Sequence, residues 1–236
     1  MKPAVTVVIP CYNEEIIIER SYRRVKAVLE RVSPEHEIII ANDGSTDDSA
    51  AILERIAGAD PAFALIDYRP NRGMGYACRQ MYRRASKDVV IQMDADLAMD
   101  PEDTVEAFVE ELRSVDCVVG SRYMGLRADY PLRRRIASLG YRLLNRTLFS
   151  FSLRDTQSGF FGIRRPVLQG LDLRSNGFEI HVEMFAQLER AGRTIREIPV
   201  RFVHQTESGE VSVFRSAPKM FLGSLRIWKS LRGSST

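Results

Sequence analysis

Three cysteines in 236 residues, Cys11, Cys78 and Cys117, are too few and too scattered for a disulfide framework, and no C-x-x-C pair marks a zinc site. Thiols used this way point to a reducing, cytoplasmic setting. No apolar run approaches the ~20 residues needed to cross a bilayer, and Met1 to Pro10 lacks the basic start and long apolar core of a secretory signal. Contact with a membrane is therefore expected to be peripheral. The net charge of +3 is too small to argue for nucleic acid by itself. Glycine is missing from Pro10 to Glu15, just after the first apolar run, which excludes the G-x-G-x-x-G turn of dehydrogenases and the Gly-rich loop of sugar nucleotidyltransferases. Repeats, low-complexity tracts and linkers are also absent.

What is present is an alternation of short β-branched runs and helical periodicities. Strands are expected at Val5 to Pro10, Glu37 to Asn42, Phe63 to Asp67, Val89 to Met93, Cys117 to Gly120, Phe160 to Ile163 and Thr194 to Val203. Helices are expected after Asn13 as N-cap, after Asp43-Gly44-Ser45-Thr46, at Gly73 to Ala85, at Pro101 to Leu112, at Glu179 to Ala191 and at Pro218 to Leu231. This pattern predicts an α/β fold, a mostly parallel sheet with helices on both faces.

The Val89 to Met93 strand delivers Asp94 and Asp96 to its carboxyl end. Two carboxylates one residue apart are costly to bury alone, so a divalent cation with a diphosphate is a natural partner. Ligands of such sheets bind beyond the carboxyl ends of the strands. Ile9-Pro10-Cys11-Tyr12-Asn13-Glu14-Glu15, Asn42-Asp43-Gly44-Ser45-Thr46-Asp47-Asp48 and Asp94-Ala95-Asp96 therefore converge on one crevice.

With Asn71-x-Gly73-x-Gly75-x-Ala77, Gly120-Ser121-Arg122-Tyr123 and Asp155-x-Gln157-Ser158-Gly159-Phe160-Phe161, these loops resemble, in order, the motifs of family 2 glycosyltransferases of the GT-A fold, from Val5 to about Phe202. The subgroup the chain is most similar to is dolichyl-phosphate mannosyltransferase and its bacterial polyprenyl-phosphate relatives. The resemblance implies a single GT-A (Rossmann-like) domain over residues 1–210, with a nucleotide-sugar half, 1–122, and an acceptor half, 123–210. A C-terminal amphipathic basic helix, 211–236, follows. It implies a nucleotide-sugar site of Pro10, Tyr12, Glu14, Asp43, Asp94, Ala95 and Asp96, with Mg²⁺ or Mn²⁺ held by Asp94 and Asp96. Asp96 and Arg122 are the implied catalytic residues, the metal acting as Lewis acid on the leaving nucleoside diphosphate. The sequence departs from the subgroup at Ala98, where a metal-coordinating glutamine is usual. A second departure is the segment from His204 to Arg215, where an R-x-x-G-x-S-K loop is usual; Arg215 or Lys219 is expected to take its cationic role.

The second half changes character. Between Arg122 and Arg154 eight arginines face one acidic residue, Asp129, interleaved with Leu132, Ile136, Leu139, Leu143 and Leu148, a basic amphipathic stretch. The last helix sets Phe221, Leu225 and Trp228 beside Lys219, Arg226, Lys229 and Arg232. Guanidinium forks beside apolar surface suit a polyprenyl phosphate, with Arg133, Arg135, Gln157, Ser158, Arg215 and Lys219 as candidate acceptor contacts. RNA is not expected, since no RNA-binding module is present. A phosphate nucleophile, with a second pKa near ~6, needs no strong base. A hydroxyl acceptor would need one, and Glu179, His181 and Glu183 lie where related enzymes place acidic residues, although the helical spacing of Glu183 equally fits an anchor. The expected function is inverting, metal-dependent transfer of a hexose from a nucleotide-diphosphate sugar to a polyprenyl phosphate, at the cytoplasmic face of the membrane. The alternatives are a soluble family 2 transferase acting on a saccharide or small-molecule hydroxyl and a non-catalytic nucleotide-sugar-binding module.

Overall fold

The computed structural model describes residues 2–121, 123–124, 132–200 and 213–233, and at 103, 132–138, 213–219 and 233 the backbone alone. Its strands are β1 (Val5–Cys11), β2 (His36–Asp43), β3 (Phe63–Tyr68), β4 (Val89–Gln92), β5 (Cys117–Ser121), β6 (Phe161–Arg164) and β7 (Ile195–Pro199). Its helices are α1 (Ile18–Val32), α2 (Ser49–Ala59), α3 (Met74–Arg84), α4 (Pro101–Glu111), α5 (Leu132–Phe149), α6 (Arg165–Gln169), α7 (Ile180–Arg190) and α8 (Val213–Gly233).

The strands form one sheet in the order β3-β2-β1-β4-β6-β5-β7. β1 runs parallel to β2 and β4, β2 to β3, and β5 to β7, whereas β6 lies antiparallel between β4 and β5. Side chains alternate across a strand, so a sheet covered on both faces needs apolar residues at every position. Val5, Val7, Ile9, Ile38, Ile40, Val89 and Ile91 pack with α1, α2 and α4. Val8, Ile39, Ala41 and Val90 pack with α3, α6 and α7, and Tyr141 and Phe149 of α5 and Leu231 of α8 lie at the margin of that layer.

From β1 the chain winds outward through β2 to β3, then returns to place β4 on the other side of β1. The crossing point between β1 and β4 opens a crevice at their carboxyl ends. The loops carrying Asn13 and Asp94 leave the sheet there.

Two local expectations are corrected, and one short helix is added. Asn13 does not cap α1, which begins at Ile18 with Ile17 at the N-cap position. Instead Asn13 takes a left-handed φ of 57° and its side chain bonds the next loop. Pro218 lies inside α8 rather than at its start. The short helix α6, opened by Arg165-Pro166, was hidden behind the strand preceding it. Pro101, by contrast, does open α4, where the Asp100 carboxylate accepts from the amide of Glu102 at 3.1 Å.

Candidate active site

The first two loops are zipped together by side chains reaching across to backbone. The amide of Asn13 donates to Ser45 Oγ at 2.9 Å, and Asn13 Oδ1 accepts from the amide of Thr46 at 2.8 Å. The Glu14 amide donates to Ser49 Oγ at 2.9 Å, and the Glu15 amide to Asp47 Oδ2 at 3.1 Å. Glu15 returns the contact, its carboxylate accepting from the amide of Asp48 at 2.8 Å. Short polar side chains that bond backbone groups locally are what such turns need. Tyr12 is left half-exposed at the tip of the first loop, beside part-buried Pro10.

Asp43 is buried at the end of β2, its carboxylate committed to a third loop. Oδ1 accepts from the amide of Arg72 at 2.7 Å and Oδ2 from that of Gly73 at 2.9 Å. Asn71 Nδ2 donates to the Asp43 carbonyl at 2.9 Å. Gly44 follows with a φ of +71°, and a Cβ there would stand 2.6 Å from the amide nitrogen of Asn71. Asp43 thus builds the corner of the crevice, retaining lone pairs for a further donor.

Beyond β4 the chain turns tightly. Leu97 has a left-handed φ of 46°, a conformation found mostly where a surrounding structure enforces it. Its amide bonds the Asp94 carbonyl at 3.1 Å, and Asp96 Oδ1 accepts from the amide of Ala98 at 2.9 Å. Ser21 of α1 donates to the Ala95 carbonyl at 2.6 Å. Ala95 and Ala98 are buried. On the other flank, a Cβ at Gly159 would lie 2.8 Å from Asp94 Oδ1.

The carboxylates interact strongly. Burial, then the charges of Asp96, Asp47 and Asp94, push the Glu14 carboxyl up to about 7. A site that makes one of its own acids hold its proton is short of positive charge, which is what a divalent cation supplies. The donor set fits a hard cation, since every group is a carboxylate oxygen. Among the described residues no group of three or more His, Cys, Asp or Glu side chains is arranged to hold a metal ion by itself.

Beneath this turn lies a polar knot that sequence reasoning missed. Gln92, fully buried on β4, accepts at Oε1 from Tyr82 and, at 3.4 Å, from the Cys78 thiol. Its Nε2 faces His181 Nε2 of α7 at 2.7 Å. With Oε1 already receiving two donors, the amide nitrogen is the group that Gln92 turns toward His181. The signal for it was a single glutamine in an otherwise apolar strand.

The Asp155 to Phe161 motif runs back along the end of β5. Ser158 is buried, its hydroxyl donating to the Gly120 carbonyl at 2.7 Å, so it fastens β6 to β5; Gln157 is part-buried beside it. Arg133 and Arg135 fall on the backbone of α5, and Arg215 and Lys219 on that of α8. Arg122 and His204 lie outside the described residues. The two helices meet where Tyr141 and Ser224 hydroxyls bond at 2.8 Å. They leave Leu139, Leu143, Phe221 and Leu222 exposed. Arg142 stacks on Tyr123 and Arg232 on Trp228, at 4.5 and 4.1 Å.

Comparison with known proteins places this geometry in context. The sequence profile of glycosyl transferase family 2 matches residues 6–171. The glycosyltransferase AglD of Haloferax volcanii is 33% identical over 96% of this chain, which spans only 37% of that protein. The dolichol-phosphate mannosyltransferase of Saccharomyces cerevisiae is 31% identical over 86% of this chain and 78% of its own length. The undecaprenyl-phosphate mannosyltransferase of Micrococcus luteus is 28% identical over 87% of this chain and 86% of its own length. Among solved structures, glucosyl-3-phosphoglycerate synthase of Mycobacterium tuberculosis with Mn²⁺, uridine diphosphate and phosphoglyceric acid superposes with a TM-score of 0.71. It is 19% identical, over 94% of this chain and 77% of that one. The mannosyltransferase PcManGT of Pyrobaculum calidifontis with GDP-Man and Mn²⁺ gives 0.67 at 20% identity, over 98% of this chain and 65% of that one.

Proposed function

The chain belongs to glycosyl transferase family 2, and from that premise we propose that it moves a hexose, with inversion, from a nucleotide-diphosphate sugar to a polyprenyl phosphate at the cytoplasmic face of a membrane. The observation that carries this reading is the convergence of Glu14, Asp47, Asp94 and Asp96 at the ends of β1, β2 and β4, where burial, and after it the neighbouring negative charges, raises Glu14 to about 7. Asp94 and Asp96 would hold Mg²⁺ or Mn²⁺, and Mn²⁺ accompanies the nucleotide in both solved relatives named above. Bound there, the cation supplies Lewis-acid neutralisation of the departing diphosphate. Tyr12 and Pro10 offer the base an aromatic and an apolar surface, and Asp43 offers its remaining lone pairs to ring or ribose donors. Arg122 would reach the phosphates or the acceptor.

The acceptor rests on two supports. Named relatives act on dolichol and undecaprenyl phosphates, and α5 and α8 present leucines and phenylalanine beside arginines in the pattern of an interfacial helix. Among the described residues no helix is long and apolar enough to cross a membrane, so these faces would lie on the surface rather than span it. An ionised phosphate acceptor attacks without a strong general base.

The experiment combines purified protein, GDP-mannose, UDP-glucose or UDP-GlcNAc, Mg²⁺ or Mn²⁺, and either a polyprenyl phosphate or soluble acceptors including phosphoglyceric acid. Lipid-linked sugar, lost in Asp96→Ala, is the expected product. Transfer to a soluble acceptor with none to lipid would instead establish the soluble alternative.

A further inference from the structure

Glu183 invites the role of general base, since it is a carboxylate on α7 in the half of the chain assigned to the acceptor. Its surroundings point elsewhere. The side chain is 4% exposed, and both oxygens are engaged by backbone: the Arg174 amide donates to each at 3.1 Å and the Ser175 amide to Oε2 at 2.8 Å. A carboxylate accepting charge-assisted bonds from two consecutive amides is fixing a loop rather than awaiting a proton.

That loop, residues 172–177, crosses onto the amino end of α3. The Asn176 carbonyl accepts from the Gly75 amide at 2.8 Å. Arg79 of α3 donates to the Ser175 carbonyl and, at 2.6 Å, to Asn176 Oδ1. The approach is so close that a Cβ on Gly75 would stand 2.4 Å from the Ser175 carbonyl oxygen, and one on Gly73 2.5 Å from that of Asn176. Gly73 and Arg72 are the two residues whose amides hold the Asp43 carboxylate. One chain of hydrogen bonds thus runs from α7 through the loop and the start of α3 to the corner of the crevice.

We propose that Glu183 is a positioning residue for the nucleotide site, clamping residues 174–176 against Gly73 and Gly75 so that the Asp43 corner is preformed. The inference rests on the nucleotide-sugar reading of that corner. It accounts for three sequence features at once: the carboxylate on α7, the glycines of the Asn71-x-Gly73-x-Gly75 run and the arginine at 79.

The test uses Glu183→Gln, Gly75→Ala and Arg79→Met in the full chain. Three readouts are followed: Mn²⁺-dependent GDP and UDP binding by calorimetry, amide hydrogen exchange, and steady-state kinetics with its pH profile. All three variants should weaken nucleotide binding about tenfold or more, speed exchange at residues 72–75 and 174–176, and raise the donor KM. Their kcat should stay within about threefold, with the pH profile of Glu183→Gln unchanged. A fall in kcat of about 10²-fold or more in Glu183→Gln, with nucleotide affinity intact and the basic limb of the pH profile lost, would make it a base and overturn the proposal. Unaltered nucleotide affinity in Gly75→Ala and Arg79→Met, which leave Glu183 in place, would overturn it equally. If the wild-type protein binds neither GDP nor UDP, it is the nucleotide reading that fails, and hydrogen exchange at Arg72 and Gly73 still reports whether Glu183 governs that corner.

Discussion

The carboxylate of Asp94 rests against the α-carbon of Gly159, close enough that a Cβ there would meet Oδ1 at 2.8 Å and Oδ2 at 3.0 Å. The intruding methyl meets the movable end of a side chain, so Gly159→Ala should fold normally while displacing Asp94. A misplacement of this size at a reacting centre lowers turnover by about 10²-fold. Thermal melts unchanged beside a collapsed transfer rate are the expected pair of results; an unchanged rate would remove Asp94 from the donor site.

Glu14 makes the stability of the cation-free protein depend on pH. Its folded-state value of about 7 lies above the ordinary 4.5, so between those limits the folded state holds more protons than the unfolded one. Stability therefore falls as pH rises from 4.5 to about 7 and levels off above it. Melting curves in chelator should show that decline, and Mn²⁺ with GDP should flatten it. A slope identical in both conditions would mean that no cation binds beside Glu14.

Asn13 combines a left-handed backbone with a side-chain bond to the Thr46 amide. Asn13→Ala loses both advantages, about 1 kcal/mol of backbone strain and about 1 kcal/mol of hydrogen bonding. Asn13→Gly loses only the second. Chemical denaturation should therefore rank wild type above Asn13→Gly and Asn13→Gly above Asn13→Ala, and a reversed order of the two variants would contradict the turn geometry.

Leu143 and Leu222 are 65% and 52% exposed, on α5 and α8. If these helices dock on a bilayer, Leu143→Asp and Leu222→Asp should each abolish cosedimentation with anionic vesicles, leaving nucleotide binding untouched. Raising salt toward ~1 M should weaken wild-type binding through screening of the arginines. Salt-independent binding would argue against an anionic surface.

The parallel strands and the placing of Asp43, Asp94 and Asp96 at or beyond strand ends were legible in the sequence because apolar runs report directly on burial and interrupting aspartates on where it stops. The loop conformations were not. Nothing in Asn13-Glu14-Glu15 distinguishes a helix cap from a left-handed turn, since the deciding partners, Ser45, Thr46 and Asp47, lie about thirty residues onward. Ser158 read as a ligand for an acceptor, yet its hydroxyl turns inward to the Gly120 carbonyl, a contact set by the antiparallel course of β6. Gln92 and His181 are eighty-nine residues apart, and their pairing exists only once α7 packs beneath β4.

That antiparallel strand bears on how the protein can be made. Both sheet neighbours of β5, which are β6 and β7, come later in the chain, and β4 has an open edge until β6 arrives. A fragment ending at residue 122 would therefore expose an unpaired strand and leave another unattached, inviting aggregation. During synthesis, the same segment that seals the sheet brings Gly159 against Asp94. The corner where Gly159 meets Asp94 and the closed core are thus completed together, and a chain halted earlier has neither.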